Sequence, residues 1–180
     1  MGRAVDPAGS NHDHQKLFTD AHQLRSMKEL AFIFVLAAAF AATATASAIA
    51  FDDIQHGVEI YNSGVENAPG VVKTLLGDEK VQVEIARADG TVLLAGLQTV
   101  NAVVVKTVEG RIDDPTIVVV AAEDAVVGVL QSDDPAAAFQ EAAAQGEISV
   151  RGTTLSARLK VSAALASTPA LRFFAGLLGK

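Results

Sequence analysis

The chain has no cysteine and no tryptophan, and only 5% of its 180 residues are aromatic and 19% charged. Without cysteine there is neither a disulfide framework nor a thiolate that could act as a nucleophile or a metal ligand. Acidic residues outnumber basic ones by 21 to 14, whereas a nucleic-acid-binding protein needs an excess of basic residues to neutralise phosphates. Hydrophobic residues make up 50% of the chain, and they must stabilise the fold by burial alone.

Residues 27–48 have the pattern of an export segment. From Leu30 to Phe51 no side chain is charged, and this run of 22 residues could span a bilayer core of about 30 Å. The strongly apolar part ends at Phe40, however, and Ala46 and Ala48 place small residues at the −3 and −1 positions of a signal-peptide cleavage site. An uncleaved membrane anchor is the alternative. We predict a disordered leader or mis-assigned gene start over 1–26, a signal peptide over 27–48 and one domain over 49–180, secreted or held in the cell envelope.

Periodicity within 49–180 predicts an α+β fold. A helix over Phe51–Ser63 is followed by four strands, in which Lys80–Ala86 alternates apolar and polar residues and Asp89-Gly90 predicts a type I′ hairpin turn. Two helices, a fifth strand over Glu147–Arg151 and two more helices complete the chain. Because strands and helices fall in separate runs, we predict a five-stranded, mostly antiparallel sheet with helices packed on one face.

Turn and cap residues predict where several of these helices begin and end. Asp134 followed by Pro135 is typical of a helix start, and Gly146 of a helix end. Thr168 is predicted to cap the last helix, before Pro169.

The predicted domain carries no recognisable catalytic motif. Its one histidine, His56, has no Gly-x-Ser-x-Gly elbow to act with, and no glycine-rich phosphate loop is present. The paired aspartates at 52–53, 113–114 and 133–134 lack the alternating spacing of a calcium-binding loop, and turns or helix caps account for them. We therefore predict a protein that is not an enzyme and has no metal or cofactor.

Charge is unevenly distributed along the predicted domain. Residues 51–147 hold 17 acids and five bases, a net of −12, whereas residues 148–180 hold five bases and no acid. The basic and apolar C-terminal helices could lie on a membrane surface or contact a partner. Alternatively, they rest beside the acidic sheet and neutralise it. Their many leucines and phenylalanines either close the core or line a cavity for an apolar ligand.

Residues 113–160 resemble the sterol carrier protein family of lipid-binding domains. The resemblance rests on the strand Thr116–Val120, the helix start Asp134–Phe139, the strand over 146–150 and the helix that contains Leu155 and Lys160. In that family an apolar tunnel between the sheet and the C-terminal helices holds a lipid or acyl chain. The resemblance thus implies the same fold, an apolar small molecule or lipid as the ligand, and six residues as candidate lining: Leu130, Phe139, Leu159, Phe173, Phe174 and Leu177.

Two hypotheses for function follow. The first is a non-enzymatic, exported domain that binds a lipid-like or other apolar ligand and does not bind nucleic acid. The second is a structural or interaction module, tethered to a membrane or free, whose apolar C-terminal helices mediate self-association or partner binding.

Overall fold

A five-stranded sheet with helices packed against it forms the core of the protein. The computed structural model describes residues 48–177, so the predicted leader and all but the last residue of the predicted signal peptide lie outside the described residues. The elements are α1 (Phe51–Gly64), a short 3-10 helix (Val65–Asn67), α2 (Gly70–Leu75), β1 (Lys80–Ala86), β2 (Val92–Val100), β3 (Val103–Glu109), β4 (Ile117–Ala122), α3 (Glu123–Gln131), α4 (Pro135–Gln145), β5 (Ile148–Gly152), α5 (Leu155–Leu165) and α6 (Thr168–Leu177). No helix within this described part is long and apolar enough to cross a membrane.

The strands are arranged in the order β3-β2-β1-β4-β5. Strands β1, β2 and β3 form an antiparallel meander, β4 returns to pair parallel with β1, and β5 pairs antiparallel with β4. The sheet is therefore mixed but mostly antiparallel, and the predicted α+β fold class is confirmed. Strands β3 and β5 are the two edges.

One face of the sheet forms the core with the helices. Val83 of β1 lies opposite Ala95 of β2 and Val119 of β4, and all three are fully buried. Helix residues complete the same apolar cluster, among them Tyr61, Val126, Phe139, Val161 and Phe174. This burial is the main stabilising term in a fold without disulfides.

The opposite face of the sheet is crossed by the segment that joins β3 to β4. Ile112 of this segment lies so close to Gly96 that a Cβ added there would be 2.7 Å from the Ile112 Cβ. The segment also covers Gln82, whose Oε1 accepts a hydrogen bond from the Ile112 N–H at 2.9 Å. Gln82, on the polar face of β1, is therefore buried, because the crossing segment covers its side chain and hydrogen-bonds to it.

The two hairpin turns differ from the prediction. At Asp89-Gly90 only Gly90 has a positive φ, of 83°, so this turn is not type I′. Positive values at both central residues occur instead between β2 and β3, at Asn101 (50°) and Ala102 (68°). Contacts hold this strained turn: the Ala102 N–H donates to the Gly77 carbonyl at 2.8 Å, and the Tyr61 hydroxyl donates to the Ala102 carbonyl at 2.7 Å.

Helix α4 begins and ends where the sequence predicts. The Asp134 carboxylate accepts the Ala137 N–H at 3.0 Å, and Gly146 ends the helix with a left-handed φ of 78°. At the start of α6 the capping hydroxyl belongs to Ser167, which accepts the Ala170 N–H at 3.3 Å. The prediction that Thr168 caps this helix is wrong by one residue, because Thr168 is already its first residue.

Candidate functional site

Five of the six predicted lining residues lie in or against the helical side of the core. Phe139 of α4 and Phe174 of α6 are fully buried, and Leu130, Phe173 and Leu177 are partly buried and pack against the same cluster. The Phe173 ring lies 5.2 Å from the Phe174 ring, edge to face. These residues thus belong to or pack against one apolar cluster, in which core residues surround them.

Leu159, the sixth, lies apart from this layer. Its side chain on α5 is 65% exposed, and Leu155 one turn earlier is 74% exposed. The inner side of α5 is formed by Ala157, Val161, Ala164 and Leu165, which are buried. Because α5 is apolar on its outer side as well, the sequence pattern did not indicate which leucines face inward. We call Leu155 and Leu159 the α5 ridge.

An open groove of about 340 Å³ runs between edge strand β5 and helix α5. Gly152 allows the two elements to approach closely, since a Cβ on this residue would be 2.3 Å from the Arg158 nitrogen. The walls are apolar and the rim is basic. The lining consists of Val150, Arg151, Gly152, Arg158, Val161, Ser162 and Leu165.

The electrostatics of this groove favour an anion. Arg151 and Arg158 are exposed, and the Arg158 Nε donates to the Gly152 carbonyl at 3.2 Å, which fixes the guanidinium at the rim. None of the described residues that line the groove is acidic. A second groove of about 330 Å³, between α3 and α4, is lined by Asp124, Glu141 and Glu147 and would repel the same ligand.

The charge of Lys160, by contrast, is already paired inside the protein. Its Nζ lies 2.6 Å from Oε1 of Glu79, and the two side chains are 29% and 6% exposed. Glu79 precedes β1, so this ion pair fixes α5 to the start of the central strand. Lys160 therefore holds α5 in place, whereas Arg151 and Arg158 remain exposed.

His56, the histidine of the described residues, lines neither groove. His56 is an exposed residue of α1, and its Nδ1 lies 3.6 Å from Oε2 of Glu59. Burial raises the pKa of Tyr61, whose hydroxyl donates to the Ala102 carbonyl. Over residues 48–177 no three His, Asp or Glu side chains are grouped as metal ligands would be.

The groove was missed by the sequence reasoning. Gly152 lets α5 pack against β5, and no local sequence pattern indicates such a contact between backbones. Arg151 and Arg158 belong to the basic segment 148–180, and both line the groove because the chain reverses between β5 and α5.

Comparison with known proteins gave structural matches only. No family model matches the chain, and no curated protein matches it. The solved structures that resemble it include domain 2 of the Helicoverpa armigera sterol carrier protein, with 13% identity, a TM-score of 0.41 and coverage of 71% of this chain and 88% of that one. Sterol carrier protein 2 from Yarrowia lipolytica has 15% identity and a TM-score of 0.38 and covers 59% and 86% of the two chains. Sterol carrier protein 2-like 2 from Aedes aegypti has 14% identity and a TM-score of 0.36 and covers 58% and 94%. These structures belong to the family that the sequence was predicted to resemble.

Proposed function

We propose that this protein binds one lipid-like molecule, an apolar chain with an anionic head, in the groove between β5 and α5, and that it does so without catalysis. The observation that carries the proposal is the pairing of an apolar groove with two arginines at its rim. We also propose that the protein acts outside the cytoplasm, in the cell envelope or secreted, because of the predicted signal peptide over 27–48.

The chemistry of the groove matches an amphiphile at both ends. Val150, Val161 and Leu165 line the groove with 7%, 5% and 3% of their surfaces exposed, and each methylene that an acyl chain buries against them contributes about 0.8 kcal/mol. Arg158 presents its guanidinium group at the groove, and guanidinium groups bind carboxylate and phosphate in a bidentate manner. A neutral sterol would use only the first of these features, so a fatty acid or acidic lipid is the better fit.

The predicted lining of Leu130, Phe139, Leu159, Phe173, Phe174 and Leu177 remains a proposal for where the chain of a longer ligand would lie. Phe139 and Phe174 are already buried against other core residues. Helix α6, which carries Phe174, contacts α1, α4 and α5, so a ligand at these phenylalanines would have to separate packed side chains. The groove needs no such movement.

The groove can be blocked without disturbing the core. Ser162 is exposed and lines the groove, so Ser162→Trp should fill it and weaken binding of a labelled fatty acid in equilibrium dialysis at least tenfold. Ser156→Trp is the matched control, since Ser156 is an exposed residue of the same helix outside the groove lining.

Arg158→Glu should also weaken fatty acid binding but leave binding of an uncharged alkane unchanged. Folded wild-type chain that takes up no fatty acid would refute the proposal.

The α5 ridge supports a second candidate, an interaction surface for an anionic membrane. Two adjacent exposed leucines lie on the helix that also carries Arg158, in the stretch of chain without acids. The rest of the domain is acidic, so a negatively charged bilayer would repel the other sides and select this one. A membrane is favoured over a protein partner because it accepts leucines and arginines without a matching shape.

Vesicle binding tests this surface. The full chain should sediment with vesicles of phosphatidylcholine and phosphatidylglycerol more than with phosphatidylcholine alone. Leu155→Gln and Leu159→Gln should each weaken this binding about tenfold. The apolar run over 30–51 is present in every variant, so only the difference between variants reports on the ridge. The ridge variants separate the two candidates, since neither Leu155 nor Leu159 lines the groove: they should weaken sedimentation and leave fatty acid uptake unchanged. Equal binding of all variants would refute the membrane surface.

A further inference from the structure

The residue that follows the predicted signal-peptide cleavage site is fixed in the fold at three points. The Ile49 side chain is 1% exposed and belongs to the core. Its N–H donates to Oε1 of Glu123 at 2.6 Å, and its carbonyl accepts from Nη2 of Arg87. Its neighbours Ala48 and Ala50 are exposed. Ile49 is thus the first residue in the described part of the chain that is anchored.

Groups of opposite charge hold the backbone on either side of Ile49. Glu123 is the first residue of α3, and Arg87 directly follows β1. On the next residue, the Ala50 N–H donates to Oδ2 of Asp53 at 2.8 Å. A carboxylate therefore faces the nitrogen of Ile49 and a guanidinium faces its oxygen.

We propose that signal-peptide cleavage between Ala48 and Ile49 creates an α-ammonium group that pairs with Glu123, so that maturation itself stabilises the folded domain. The small residues Ala46 and Ala48 place the cut there by a criterion independent of the structure. A cut two residues later would remove the buried Ile49 side chain. This inference rests on the proposed export and is independent of ligand binding at the groove.

Cleavage stabilises the folded domain because it changes the hydrogen-bond donor at Ile49 from an amide to an ammonium group. Water hydrolyses the Ala48–Ile49 peptide bond, so that Ala48 leaves with a carboxylate and Ile49 retains the amine, which takes up a proton. One neutral N–H donor is thereby replaced by an ammonium with three donors and a full charge. The Ile49 N–H already donates to the Glu123 carboxylate, so what cleavage adds is the attraction between a full positive charge and that carboxylate. Because Ile49 is buried in the folded domain, cleavage must precede folding, as it does for a chain that is exported unfolded.

The ion pair is tested by comparing processed and unprocessed chains. The full chain is expressed in a host with a signal peptidase, and intact mass should place the amino terminus of the exported protein at Ile49. Ala48→Phe enlarges the −1 residue and should yield the uncut chain. In urea denaturation, Glu123→Gln should lower the folded-to-unfolded ratio about fivefold more in the processed protein than in the uncut one. Asp124 lies next to Glu123 in the first turn of α3, and Asp124→Gln is the control. It should lower the free energy of unfolding equally in the processed and the uncut protein.

Each outcome is decisive and separable from the proposed function. An exported protein that starts at Phe51 or any residue other than Ile49 would overturn the inference and leave the export proposal standing. A chain that is not exported would overturn both. A third outcome is an amino terminus at Ile49 with Glu123→Gln lowering the free energy of unfolding equally in the processed and the uncut protein. That result would overturn the stabilising ion pair, although cleavage would occur where we propose.

Discussion

At the scale of the residue, two glycines with opposite surroundings show how strongly position decides the effect of one methyl group. A Cβ at Gly152 would lie 2.3 Å from the Arg158 nitrogen and 2.4 Å from the Ala157 carbonyl carbon, both of them backbone atoms that cannot rotate away. A Cβ at Gly128, inside helix α3, has no neighbour within 4 Å. The first glycine is required for packing, and the second only weakens its helix.

We therefore expect Gly152→Ala and Gly128→Ala to change stability in opposite directions. Gly152→Ala should lower the free energy of unfolding by about 3 kcal/mol, because α5 must move away from β5. Gly128→Ala should raise it by about 1 kcal/mol through helix propensity. Urea denaturation of both variants measures the difference. A Gly152→Ala protein as stable as the wild type would show that α5 does not pack on β5 as described.

The residue scale is also where sequence reasoning was weakest. Asp89-Gly90 is the commoner signature of a type I′ turn, yet the turn with two positive φ values is at Asn101 and Ala102. Local sequence could not predict it, because the conformation is held by Tyr61, 41 residues away, and by the Gly77 carbonyl. An alanine adopts such a conformation only where tertiary contacts compensate for its cost.

At the scale of the element, patterns predicted boundaries well and orientation poorly. The bounds of β1 and of helix α4 match the prediction, because turn or cap residues stand at both ends of each. Helix α5 was predicted as well, but its leucines could not be assigned to a side. Its orientation depends on Lys160, which reaches the buried Glu79 at a separation of 81 residues. No local pattern contains such a contact.

This ion pair gives a prediction about how α5 is held. Lys160→Met should lower the free energy of unfolding by about 3 kcal/mol, because it leaves the Glu79 carboxylate buried without a partner. Adding Glu79→Gln should recover part of this loss, since an amide tolerates burial better than a lone charge. A double-mutant cycle in urea measures the coupling. Arg158→Met, on the same helix, is the control and should cost only about 1 kcal/mol, because it loses one hydrogen bond to the Gly152 carbonyl and leaves no buried charge unpaired. Additive effects of the two substitutions would contradict the predicted coupling.

At the scale of the whole molecule, the resemblance to sterol carrier proteins predicted the architecture. It did not predict which of the two C-terminal helices exposes apolar side chains to a partner. The hypothesis of an interaction module assigned self-association to the apolar C-terminal helices together. The outward residues of α6 are Thr168, Pro169, Arg172 and Gly176, which offer little apolar surface. Its apolar residues face inward, and Phe174 is fully buried. The exposed apolar surface of this region lies on α5, at Leu155 and Leu159.

Removal of α6 should therefore damage the core rather than dissolve an oligomer. We expect a chain truncated after Ser167 to bind a hydrophobic dye and to lose cooperative unfolding, because α6 covers Tyr61 through Phe173, whose ring centroids are 6.5 Å apart. The double variant Leu155→Gln/Leu159→Gln should unfold as cooperatively as the wild type, since both side chains are already in solvent. Any oligomer that forms through this region should dissociate in the double variant. A truncated chain with the wild-type unfolding midpoint would contradict this prediction. It would show that α6 and its buried Phe174 do not stabilise the core.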